Sequence, residues 1–292
     1  MRKQNYLNNK DMLKEIHKSK LSYCYVLDDD YSRFDTIVES IDDIKNSDVI
    51  QTAKENRARQ LSNIAYEEAY FTWHDSDARK QSQKPKQISY KVDPDTIDEE
   101  DLIFRLMTFD HVPLEPGRKN KPKTEADKHA KCNFPPFKHY AYIQGELKEC
   151  LRSHWEGGLD NGHFNVQHGA ITNNLAKMFL KLCERYSMRS NWRGYTYVDE
   201  MRSHALLQLS QIGLQFNELK SENPFAYYTA AVTNSFTRVL NLEKRNQNIR
   251  DDLLQEAGQM PSWTRQIEHE MAERAKWDEK SDKERKEHGF NV

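Results

Sequence analysis

The stretch from Asn191 to Arg250 constrains this chain more than any other, because it carries two amphipathic helical patterns separated by one short polar turn. Met201, Ala205, Leu209, Ile212 and Phe216 recur at helical spacing and predict a first helix with one apolar face. Ser221-Glu222-Asn223-Pro224 reads as the start of the next helix. Asn223 is placed to accept from a free N–H of the first turn, and Pro224 has no N–H to leave unpaired there. Phe225, Tyr228, Val232, Phe236, Val239 and Leu240 then predict the buried face of that second helix.

Opposite this face, Tyr227, Ala231, Asn234, Arg238, Asn241 and Arg245 fall at i, i+4, i+7, i+11, i+14 and i+18, and Lys244 and Arg250 extend the positive charge. Asn pairs bidentately with adenine, Arg pairs with guanine or phosphate, and an exposed Tyr stacks on an unpaired base. An ordinary solvated helix face accounts for the same stripe, so the pattern alone does not choose. On the first helix, Asp199, Glu200, Gln208 and Gln211 are polar positions outside the apolar face. Acid at a helix start is already explained by the helix dipole.

The rest of the chain sets bounds. Over 292 residues the apolar content is 37%, the mean hydropathy is −0.97 and the net charge is −2. A chain this polar has part of its length in solvated helix, loop or partner-dependent structure. A near-neutral chain is no general nucleic-acid binder, so any DNA contact comes from a local patch or from a larger assembly. No run of about 18 apolar residues predicts a membrane span. The start lacks the apolar segment of a secretory signal. The four scattered cysteines, Cys24, Cys132, Cys150 and Cys183, point to a reducing compartment rather than a disulfide framework.

Four segments are predicted: an N-terminal helical segment (1–80), an irregular insert (81–167), a helical domain (168–258) and a charged tail (259–292). In the first, Tyr6, Leu7, Met12, Leu13 and Ile16 predict one helix, Asp28, Asp29 and Asp30 a turn, and Leu61 to Phe71 a second helix. In the insert, ISYKV (88–92) alternates like a strand, DLIFRLM (101–107) suits a buried strand or a helical turn, KHYAYIQ suits a strand, and Glu146 to Trp155 a short helix. Ile171, Leu175, Met178, Phe179 and Leu182 open the helical domain, and Trp263 to Lys286 predicts an exposed helix.

The insert also holds two ligand-type pairs, His129/Cys132 and Cys150/His154, whose short spacings suit four-coordinate structural zinc as well as unliganded side chains. His163 and His168, beside Asn161 and Asn165, raise a metal-dependent nuclease as one alternative, although their Gly-rich surroundings read as a turn. No phosphate-cradling loop and no nucleophile elbow is present.

WRGYTYVDEM, LLQLSQIGLQF and NPFAYYTAAVTNSFTRVLNLEKR, in that order, resemble the late-transcription sigma factors of T-even-type bacteriophages. These are short members of the bacterial primary sigma family that keep mainly its second region. NYLNNKDMLKEI resembles the start of the same proteins. The resemblance covers residues 3–18 and 168–254 and leaves the insert outside it. It implies a mainly α fold: a sigma region 2-like helical bundle plus an irregular, loop-rich α+β insert. It also implies a non-enzymatic factor in the cytoplasm of an infected bacterial host. In that family the first helix docks on the clamp helices of the largest catalytic subunit of host RNA polymerase. By resemblance Asp199, Glu200, His204, Gln208 and Gln211 face polymerase. Phe225, Tyr227, Tyr228, Asn234, Arg238, Lys244 and Arg245 face promoter DNA, where a short A/T-rich element is recognised and melted. A phage coactivator and a sliding clamp are further partners the family implies.

Three departures narrow this expectation. Ala231-Val232 stand where primary sigma factors carry two adjacent Trp residues. The later DNA-binding regions are not recognisable. The chain ends EHGFNV, where only Phe290 and Val292 suit a clamp contact. A polymerase-binding regulator that blocks initiation is the other alternative. It shares the docking helix and differs at the aromatic stripe.

Overall fold

The computed structural model describes residues 7–75, 84–115 and 123–287. The chain is mainly α with a small mixed sheet. Its helices are α1 (Asn9–Leu21), α2 (Ser47–Asp75), α3 (Asn173–Ser187), α4 (Val198–Ile212), α5 (Pro224–Glu256) and α6 (Trp263–Glu287). Its strands are β1 (Cys24–Val26), β2 (Thr36–Val38), β3 (Ile103–Met107), β4 (Phe137–Ile143), β5 (Glu146–Ser153), β6 (Trp155–Glu156) and β7 (His163–Phe164).

The main sheet runs β1-β5-β4-β3-β2, antiparallel throughout except for the parallel β2–β3 pair. Alternation along β3 divides its two faces. Phe104 and Leu106 pack with Val38, Ile44, Ala53 and Ala58 beneath α2. On the other face Met107, Phe137 and Leu151 join one continuous core with Met12 and Ile16 of α1 and the apolar faces of α3, α4 and α5. The sheet is therefore the middle layer between α2 and a helical bundle. Burying a side chain such as Phe236 or Leu209 in that core contributes on the order of 1.5–3 kcal/mol.

Helix α5 starts where predicted, whereas α4 ends at Ile212 rather than running on to Phe216. Asn223 accepts from Ala226 N–H at 3.0 Å, with Pro224 at the first helical position. Thr172 caps α3 by accepting from Leu175 N–H at 3.3 Å, and its hydroxyl donates to Glu15 of α1 at 2.9 Å, tying the N-terminal helix to the bundle. Leu175, Met178, Phe179 and Leu182 are buried on α3, Met201, Ala205 and Leu209 on α4, and Tyr228, Val232, Phe236 and Val239 on α5.

Elsewhere the local pattern misled. Residues 88–92 do not form a strand. Gln87–Tyr90 is a short 3-10 turn lying along α2, with Ile88 87% exposed, so its alternation faces nothing. Glu146 to Ser153 is not a helix but strand β5. Gln144 (φ 57°) and Gly145 (φ 77°) both adopt the left-handed conformation and form the two-residue turn that returns β5 onto β4. The N-terminal segment is not helical throughout either: β1 pairs with β5 and β2 with β3, so one sheet spans the expected boundary at residue 80. Such three-residue strands carry too little periodicity to be read alone.

Candidate docking and nucleic-acid interface

Two helical faces hold the predicted site residues, and the turn 213–223 joins them. On α4, burying Met201, Ala205 and Leu209 turns the opposite side outward. Asp199, Glu200, His204 and Gln211 are exposed there and Gln208 is half-buried. Asp199 pairs with Arg202 at 3.1 Å, and Glu200 lies 3.9 Å from His204. Such exposed pairs within one helix contribute little to stability. Leu207, 56% exposed, lies on the same face and gives it an apolar centre.

On α5 the predicted residues divide. Asn234, Arg238, Lys244 and Arg245 are exposed, while Phe225 and Tyr227 are half-buried. Among the described residues, Arg238, Lys244 and Arg245 have no carboxylate within ion-pair distance, which leaves their charge available to phosphate. Tyr227 packs edge-on against Phe216, with ring centroids 5.6 Å apart, and keeps part of its ring in solvent. Tyr228 is different. It is fully buried, it packs against Phe179 at 4.9 Å, and its hydroxyl donates to the Gly213 carbonyl at 2.5 Å. Burial pushes its phenol well above the ordinary range. In this packing Tyr228 has no face to offer a base, and its membership of the predicted DNA-binding set is corrected: a helical period that counts Tyr228 in the apolar face cannot also count it in the open stripe.

Other residues border α5 that the site prediction omitted. The loop after α3 packs Trp192 against Phe236 at 5.4 Å, and Tyr186 shares a 2.7 Å hydrogen bond with Thr233. The same loop carries Arg189 and Arg193 at the surface, with Arg189 lying 4.4 Å over the Tyr186 ring. The signal was present in the sequence: three arginines between positions 185 and 193 with no acid among them.

The ligand-type pairs of the insert are not brought together. His129 stacks on Phe109, and the Cys132 thiol donates to the Ala130 carbonyl. Cys150 is buried with its thiol on the His139 carbonyl, and His154 lies between Phe134 and Phe164. Among the described residues no group of three His, Cys, Asp or Glu side chains could hold a metal ion. Burial raises the thiols of Cys132 to about 11 and Cys150 to about 12 and lowers His154 to about 3, so these cysteines are held as thiols and His154 as a neutral ring. Around the suspected nuclease residues, the Asn161 side chain accepts from Gly158 N–H to close the β6–β7 turn, and His163 pairs with Glu156 at 3.5 Å on the surface.

No family model, curated protein or solved structure matches the chain. The site therefore stands on its own geometry and on the motifs of residues 192–245. No described helix is long and apolar enough to cross a membrane. Phe290 and Val292, the candidate clamp contacts, lie outside the described residues.

Proposed function

We propose that the chain is a sigma-type initiation factor of a bacteriophage, which docks on the host RNA polymerase core through α4 and engages the promoter through α5. The observation that carries this reading is the division of labour between consecutive helices. Asp199, Glu200, His204 and Gln211 stand outward on α4, and Asn234, Arg238, Lys244 and Arg245 stand outward on α5, on a bundle whose capped start at Asn223-Pro224 matches the resembled motif. Positive charge on α5 positions the phosphate backbone, and Asn234 presents an amide of the kind that reads adenine.

Strand opening costs a few kcal/mol per unstacked base. Stacking a base on one aromatic ring returns about 1–3 kcal/mol. With Tyr228 in the core, Phe225 and Tyr227 are the rings of the predicted set left to stack. The chain opens DNA only within a polymerase assembly that supplies the remaining field. Abortive initiation tests the reading: purified core polymerase plus this protein makes short transcripts from a supercoiled template carrying a TATA-like element, and neither component does so alone. Failure on both supercoiled and premelted templates overturns it.

The burial of Tyr228 also favours a second reading. A chain with fewer rings to capture a base, and with Ala231-Val232 where the wedge would stand, fits a regulator that occupies polymerase and blocks initiation. In that case the protein binds core polymerase and suppresses transcription by a host initiation factor without starting any of its own.

A further inference from the structure

The turn between α4 and α5 is held from beneath by buried charge. The Lys20 ammonium, at the end of α1 and 1% exposed, donates to both carboxylate oxygens of Glu218 and to the Phe216 carbonyl, each at 2.7 Å. At the other end of α1, the Asn9 side chain accepts from Phe225 N–H at 3.1 Å, in the first turn of α5. Helix α1 thus grips the middle of the segment joining the two candidate functional helices and the first turn of the second.

The network continues into the sheet. Arg105 of β3 is fully buried with its guanidinium between the rings of Phe34 and Phe137, 3.8 and 3.9 Å from their centroids. Its Nε donates to His139 Nε2 at 2.9 Å, and its Nη1 lies 3.5 Å from His17 Nδ1. Arginine can only donate, so both imidazole nitrogens accept. His139 then carries its proton on Nδ1, which donates to the Tyr31 carbonyl at 2.9 Å. The His17 nitrogen facing Arg105 lies 3.7 Å from Glu218. Burial alone would raise the Glu218 carboxyl; the charges of Lys20 and Arg105 outweigh it and keep the group ionised, while His17, which burial lowers to about 3, stays neutral and adds no charge. One carboxylate on the α4–α5 turn is thus the counter-charge for a lysine of α1 and an arginine of the sheet. Removing Glu218 would leave two buried cations without their counter-charge.

We propose that the sheet sets the position of the α4–α5 turn through the buried charges of Arg105, Glu218 and Lys20, with the neutral His17 ring packed between Arg105 and Glu218, and with Glu218 as the positioning residue. The insert is on this account a brace that fixes where α5 leaves α4, rather than a separate binding module. The brace is a property of the fold and does not need the initiation reading. That reading adds one consequence: loosening the turn uncouples docking from DNA engagement.

Amide hydrogen exchange on the full chain tests this directly. Arg105→Met lies in the sheet, and Glu218→Gln in the turn. Both are expected to speed exchange at residues 214–220, Glu218→Gln by roughly tenfold or more, the scale of weakening one charge-assisted hydrogen bond, and Arg105→Met, which makes no hydrogen bond to the turn, by less. Amides of α3 should keep wild-type rates. Arg105→Lys, which keeps the charge without the fork, should give a smaller effect at the same residues and serves if Arg105→Met does not fold. Tyr140→Phe, on the α2 side of the sheet, should leave the turn unchanged. The proposal is overturned if both Arg105 variants leave 214–220 at wild-type rates, or if they speed every element alike. Binding of Glu218→Gln to core polymerase is a separate arm. If the turn loosens but polymerase is bound by neither variant nor wild type, the initiation reading fails and the brace stands.

Discussion

The Tyr228 hydroxyl donates to the carbonyl of Gly213 at 2.5 Å, so the second candidate helix is pinned from inside the core to the end of the first. The bond removes Tyr228 from the open stripe of α5 and makes it part of the frame that holds α4 and α5 together.

Tyr228 and Tyr227 should therefore separate cleanly in mutation. Tyr228→Phe loses one hydrogen bond and should cost about 1 kcal/mol. Tyr228→Ala empties a core site and should cost about 3–5 kcal/mol. Tyr227→Ala, at a half-buried position, should cost less than Tyr228→Ala and act mainly on promoter opening. Urea denaturation gives the stabilities. Equal losses for Tyr227→Ala and Tyr228→Ala would contradict the assignment.

Gly213 is required by close approach rather than by backbone conformation. A Cβ there would meet the Leu209 carbonyl oxygen at 2.7 Å and the Phe179 ring at 2.7 Å. Gly213→Ala should lower stability by about 1–3 kcal/mol, the cost of forcing an extra methyl into a packed core. A thermal melt indistinguishable from wild type would show that the ring and turn can yield.

Acid should weaken the fold before its carboxylates titrate. His139 and His154 are fully buried and neutral; burial lowers both, His154 to about 3, and the Arg105 charge further lowers His139. The unfolded chain takes up protons at these rings below about pH 6.5, while the folded chain does not, so their contribution is complete above that pH and declines as pH falls. At pH 5.5 the loss should be about 1 kcal/mol for each ring. His154 has a left-handed backbone (φ 54°), which Asn tolerates, so His154→Asn should flatten the stability change between pH 7.5 and 5.5 by that amount. An unchanged slope would remove His154 from the account.

Much of the bundle was legible in the sequence, because its helices are long and periodic: Asn223-Pro224 gives α5 a boundary signal ahead of its apolar repeat, and the Leu175 to Leu182 face marks α3 by its period. The sheet was less legible. Cys24–Val26 and Thr36–Val38 are three residues each and find their partners far along the chain. The site divided in the same way. Exposed cations on a helix follow from its period, whereas the Lys20–Glu218 pair joins residues 198 positions apart and leaves no local trace. His129, Cys132, Cys150 and His154 illustrate the converse, since ligand-like spacing along the chain is not proximity in the fold.

Metal removal should accordingly leave the fold intact. Extended chelator treatment should not shift the melting temperature, and Cys150, buried in β5, should resist thiol reagents until the protein unfolds. A melting temperature lowered by chelation would require a metal site that the described residues do not form.

The exposed cations of α5 should act through phosphate. Removing Arg238, Lys244 or Arg245 should weaken the polymerase–promoter complex and reduce the salt slope of its affinity by about 0.7–0.9 for each phosphate no longer neutralised. Binding of the protein to core polymerase should be unchanged. An undiminished salt slope in the triple variant would place the DNA elsewhere.

The most direct measurement is permanganate reactivity of thymines in a TATA-like promoter incubated with core polymerase and this protein. Unpaired, reactive thymines are expected within that element when both proteins are present, and they should disappear when Arg238, Lys244 and Arg245 are replaced. A complex that binds the promoter-bearing template yet leaves every thymine unreactive, on supercoiled DNA as well as linear, would contradict that expectation.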